Sequence, residues 1–96
     1  MYDYHDATLK TATVDWENGV TVMTFALCVE PARQVAITIR ETSEFIYARQ
    51  FPWGKSVSVN RLDVQIVESG HRVTVEMQSG DKIVATGREV LEKTAD

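Results

Sequence analysis

The chain has 96 residues, 44% of them hydrophobic and 25% charged, which is the composition of one folded domain spanning 1–96 and excludes a disordered chain. Fourteen acidic against ten basic side chains leave a formal charge of −4 with no basic block, so a nucleic-acid backbone is a poor partner. The start carries Asp3 and Asp6 instead of a basic region, and the longest apolar run covers only 25–29, against the ~20 residues a membrane helix needs. A single cysteine, Cys28, allows no internal disulfide, and with no signal segment the expected location is the cytoplasm.

Residues 1–6 read as a lead-in pinned by its tyrosines. From 8 to 17 the chain is rich in Thr and Val, and Ala12, Val14 and Trp16 recur at the spacing of one strand face. Asn18-Gly19 predicts a two-residue type I′ turn, with the next strand, 20–29, returning antiparallel. That second strand is apolar on both faces, with Met23, Phe25, Leu27 and Val29 on one and Val20, Val22, Ala26 and Cys28 on the other. It should therefore be central and covered on both sides. Val35, Ile37 and Ile39 define a half-buried third strand. Residues 42–51 form a fourth, with Phe45, Tyr47, Arg49 and Phe51 on one face.

The stretch Phe51-Pro52-Trp53-Gly54-Lys55 breaks this strand, because Pro52 lacks a ladder N–H and Gly54 accepts positive φ. Beyond it Val57 and Val59 share one phase and Leu62, Val64 and Ile66 the other, so a β-bulge near Asn60-Arg61, or a break into two strands, must absorb the slip. Ser69-Gly70 and Ser79-Gly80-Asp81 predict two further hairpins around the alternating Val73, Val75 and Met77. Thr86-Gly87-Arg88-Glu89 has capping-box spacing, and Glu89 with Lys93 would pair at i, i+4, which predicts a short C-terminal helix. Val84, Val90 and Leu91 suit a last strand as the alternative. The expected fold is mainly β, with six or seven antiparallel strands in a sandwich or, alternatively, a small barrel.

Three stretches, His5-Asp6-Ala7 with Asp15-Trp16, Pro52-Trp53-Gly54 with 56–60, and Met77-Gln78-Ser79-Gly80-Asp81, resemble a family of small bacterial proteins without an assigned activity. Its members often carry proline after the corner glycine, where this chain has Lys55. The resemblance implies a bacterial origin and brings no activity, cofactor or catalytic residue. The opening and the alternating strands are also similar to small immunity proteins that neutralise secreted toxins.

His5-Asp6 invites comparison with the metal-binding dyad of phosphohydrolases, but such sites need further His and Asp ligands, and adjacent side chains of an extended chain diverge. No cofactor or metal is implied. His71 reads as an exposed turn residue, and Cys28 as a buried small hydrophobe without a base beside it. The remaining candidate is the corner, where Trp53 with Phe51, Tyr47 and Lys55 would form an aromatic patch of the kind that anchors protein interfaces. These residues lead to the expectation of a non-enzymatic binding module for a protein partner, in its sharpest form an immunity-type protein whose acidic surface meets a basic toxin. A small-ligand or hydrolytic β domain with a pocket near His5, Asp6 and Trp53 is the alternative. Exposed edge strands offer a homodimer as a further route to a partner.

Overall fold

A computed structural model describes residues 1–29, 31–50 and 56–94. The described chain is all antiparallel β: β1 Thr8–Asp15, β2 Val20–Leu27, β3 Arg33–Arg40, β4 Glu44–Tyr47, β5 Val59–Val67, β6 Gly70–Met77, β7 Lys82–Gly87 and β8 Glu89–Thr94. Two four-stranded sheets form, in the orders β1-β2-β3-β8 and β4-β7-β6-β5. The sandwich expectation holds and the closed barrel does not. Between the strands of the two sheets the described residues make one isolated ladder bridge, Thr8 to Ser58, at one corner, and the side formed by β1 and β4 stays open.

Period-two alternation decides which side chains are inside. Met23, Phe25 and Leu27 on β2, Val35, Ile37 and Ile39 on β3, and Val73, Val75 and Met77 on β6 meet between the sheets, joined by Val59, Ile83 and Ala85. Each fully buried aliphatic or aromatic side chain of this kind contributes roughly 1.5–3 kcal/mol. The one buried threonine of β2 is satisfied within the core wall: Thr21 Oγ1 lies 2.9 Å from Thr42 Oγ1, which donates to the Ile39 carbonyl at 3.0 Å. The lead-in is pinned as expected, with Tyr4 buried and its ring edge-on to Phe25 at 5.0 Å.

Several sequence expectations are corrected, among them the fourth strand, which spans Glu44–Tyr47 within the expected 42–51. The C-terminal helix is absent, because β8 gains a six-pair ladder against β3, from Val35–Thr94 to Arg40–Glu89, whereas an isolated helix of one or two turns is marginal in water. Glu89 accordingly faces Arg40 at 3.8 Å across the ladder. This strand raises the total among the described residues to eight. The β1–β2 hairpin exists, but Asp15 pairs with Val20, so the loop has four residues, and only Gly19 of the Asn18-Gly19 pair has positive φ, at 64°. The Asp15 carboxylate sets this loop by accepting from the Asn18 N–H at 3.1 Å and from its Nδ2 at 2.8 Å.

The outer face of β2 is half-buried, not covered by a second layer, and the strand ends at Leu27, which leaves Cys28 exposed instead of in the core. The bulge is where the phase slip demanded it: the β5–β6 register shifts between Val59 and Arg61. The two later hairpins also form, between β5 and β6 and between β6 and β7.

Candidate functional site

Of the residues expected at the site, Phe51, Trp53 and Lys55 lie outside the described residues. Tyr47 ends β4 and is 64% exposed. His5 and Asp6 are elsewhere, against the start of β5 and the end of β6, and they line none of the cavities that border Tyr47.

A turn at Asp6, with φ of 65°, brings the His5 and Asp6 side chains to one side, His5 Nε2 standing 3.6 Å from Asp6 Oδ2. His5 Nδ1 lies 2.8 Å from the Asn60 carbonyl, and Gln78 Nε2 donates to Asp6 Oδ1 at 2.6 Å. The Asn60 carbonyl, followed by the Asp6 carboxylate, raises the His5 pKa, since both favour the imidazolium. All of these side-chain atoms already have protein partners in the open, and among the described residues no group of three or more His, Cys, Asp or Glu could hold a metal. The arrangement fastens the lead-in across the bulge. His71 is likewise a fastening, its Nδ1 3.1 Å from the Arg88 carbonyl.

The open side of the sandwich has different chemistry. Leu9, Ala12 and Val14 pair with the buried Phe25, Met23 and Thr21, so they share the inward face of the first sheet. Yet β1 is exposed from Lys10 to Asp15, because β4 has only four residues and does not cover it. A cleft results. Its first part, about 310 Å³, lies between Val14, Trp16, Thr42 and Phe45. Its second, about 210 Å³, lies between Leu9, Ala12, Tyr47 and Ile83. The Phe45 and Tyr47 rings, 6.1 Å apart, run along the β4 wall.

Charge is divided along this cleft. Asp15 and Glu44 border the first part, with Glu17 following Trp16, whereas Lys10 and Arg49 border the second together with Asp81, whose carboxylate accepts from the Gln50 N–H and the Ser79 hydroxyl. Asn18, by donating to the Asp15 carboxylate, holds its pKa below the ordinary value, so this carboxylate keeps its charge further into acid than a free one. Trp16 stands at the cleft mouth 93% exposed. Its spacing with Ala12 and Val14 predicted a strand residue, but β1 ends at Asp15 and Trp16 is the first residue of the hairpin loop, which is why it stands clear of the sheet.

No family model and no curated protein matches the chain. Among solved structures, it is similar to an uncharacterized protein from Neisseria gonorrhoeae, with a TM-score of 0.73 and 10% identity over 94% of this chain and 92% of that one. That likeness concerns the fold. Among the described residues no helix is long and apolar enough to cross a membrane.

Proposed function

We propose that this chain is a non-enzymatic protein-binding module whose contact surface is the cleft between β1 and β4. It takes an extended segment of a protein partner along β1, apolar on the side facing the cleft and basic where it passes the Asp15 end. The observation that carries this reading is Trp16, an indole 93% exposed over an apolar cleft. Beside it the β1 edge is free of ladder pairing beyond its start, where Leu9 is held by Val57, and exposed aromatics next to such an edge are the usual anchors of these contacts. The acidic end also supports the immunity-type form of the reading, in which a basic partner is steered by charge. The small-ligand or hydrolytic alternative finds less support, since the His5 and Asp6 side chains point onto protein partners and border none of the cleft.

The test is affinity capture of a partner followed by amide-shift mapping on the domain. Shifts concentrated at 10–16 and 44–47, with binding weakened about thirtyfold by Trp16→Ala and unchanged by Ile66→Ser on β5, are the expected result. Shifts centred on β5 or the His5 turn, with Trp16→Ala binding normally, would overturn the assignment.

A further inference from the structure

The sandwich has four sheet edges, and three are guarded. β8 carries Glu89, Glu92 and Lys93, and the lead-in lies on it through Tyr2, whose N–H donates to Glu92 Oε2 at 3.0 Å and whose hydroxyl is 2.9 Å from Thr94 Oγ1. β5 has its bulge and the Arg61–Asp63 ion pair at 3.0 Å. β4 is four residues long and opens with Glu44. Charges, bulges and shortness are the devices that stop edges from pairing. β1 is covered at its start, where the Leu9 N–H donates to the Val57 carbonyl at 2.8 Å and Thr8 bridges to Ser58, and has a bulge at Lys10, where its register shifts between Leu9 and Thr11; beyond these it runs Thr11-Ala12-Thr13-Val14 without a charge.

That edge is self-complementary. In an antiparallel pair, residues opposite one another share a face, so two copies of β1 can meet only in registers that oppose inward residues to inward ones. Centring the pair on Thr13 sets Thr13 against itself, Ala12 against Val14, and Thr11 against Asp15. Ala12 and Val14 are both inward, and Thr11, Thr13 and Asp15 are all outward, as their partners on β2 require. Beyond the ends of that ladder the same axis brings Lys10, the bulge residue, toward Trp16 and Glu17 of the other copy's hairpin loop, a cation beside an indole and a carboxylate. It also carries each Trp16 toward the second part of the other copy's cleft, the 210 Å³ between Leu9, Ala12, Tyr47 and Ile83. Moving the axis one residue toward the N-terminus opposes Lys10 to Val14 and loses both matches.

We propose that the extended segment this cleft receives is β1 of a second copy, paired antiparallel about a two-fold axis at Thr13, each Trp16 closing the other copy's cleft. The proposal rests on the reading of the β1–β4 side as a protein-contact surface. It explains why a stretch of edge without charge, Thr11 to Val14, and a 93% exposed tryptophan stand close together.

The test is sedimentation of the full chain over a wide concentration series. The expected result for wild type is a monomer–dimer equilibrium. Thr13→Lys, an outward position where the substitution leaves the core untouched, should weaken it at least tenfold by opposing two like charges at the axis. Lys10→Glu and Glu17→Lys should each weaken it, and the two reversals together should restore it. A wild-type chain that stays monomeric throughout would overturn self-pairing, and so would a dimer indifferent to Thr13→Lys and to the reversals. A monomeric wild type that still loses a different captured protein on Trp16→Ala overturns self-pairing and leaves the binding-module reading standing, so the two failures are distinguishable.

Discussion

The Tyr4 hydroxyl donates a 2.5 Å hydrogen bond to Oε2 of Glu92, joining the lead-in to the last strand. Burial raises the Tyr4 pKa, with the Glu92 carboxylate adding to the effect, so the phenol stays protonated and remains the donor. The same Glu92 oxygen accepts the Tyr2 N–H at 3.0 Å, so one carboxylate organises the whole lead-in.

Tyr4→Phe keeps the ring against Phe25 and removes only this bond. Since Glu92 is half-exposed and can take water, the expected loss is about 1 kcal/mol in a urea titration. Tyr4→Ala also empties the ring's place in the core and should cost about 3–5 kcal/mol. Equal losses for the two variants would mean that the ring contributes nothing, against its 3% exposure.

His5 gives a pH dependence of definite sign. Its pKa is raised in the folded state by the Asn60 carbonyl and the Asp6 carboxylate. Its contribution is therefore fully present below the unfolded histidine pKa of about 6.5 and is lost as pH rises through the higher folded value. The stability gap between wild type and His5→Ala should be larger near pH ~5 than near pH ~8. A gap that grows toward alkaline pH would contradict the geometry at Asn60.

Much of the fold was legible because periodicity reports directly on strand faces. Val35, Ile37 and Ile39 could lie only on one side, and the slip between Val59 and Leu62 required the bulge found between Val59 and Arg61. What periodicity omits is whether a face is covered. Val14 shares the inward phase with Ala12, yet it stands open because β4 stops short, and Trp16 leaves the phase altogether because β1 ends at Asp15 and the indole belongs to the hairpin loop; strand order and strand ends are long-range properties. Local signals also lost to their neighbours. The Thr86 to Glu89 capping spacing yielded to the β3 edge, and Asn18-Gly19 yielded to the Asp15 carboxylate three residues upstream. The corner at 51–55 lies outside the described residues, so the aromatic patch expected there has Tyr47 alone in view.

Asp15 titrates in the opposite sense to His5. Its folded pKa is lowered, first by the Asn18 side chain and then by the Asn18 N–H. The stabilisation is present above the unfolded carboxyl pKa of about 3.9 and is lost as pH falls through the lower folded value. Asp15→Ala should therefore lower the melting temperature at neutral pH and converge with wild type in strong acid. Asp15→Asn, which keeps an acceptor but no charge, should fall between them at neutral pH. A difference between Asp15→Ala and wild type that persists unchanged into strong acid would mean the carboxylate does not set the loop.

Gly87 and Gly80 separate two reasons for glycine. At Gly87, where the chain passes from β7 toward β8, a Cβ would stand 2.6 Å from the Arg40 carbonyl oxygen and 2.5 Å from Ile39 Cγ2. The backbones approach closely there, with the Arg88 N–H donating to that same Arg40 carbonyl at 3.0 Å. A methyl group would therefore push the two sheets apart, and Gly87→Ala should cost about 1–3 kcal/mol through overpacking. At Gly80 nothing lies within 4 Å of a Cβ, and the objection is the φ of +96° alone. Gly80→Ala strains only the turn and should cost about 1 kcal/mol, whereas Gly87→Ala should also disturb amides on β3 and β8 in NMR spectra. If Gly87→Ala changed neither stability nor those amides, the close approach that turns the chain from one sheet into the other would be wrong.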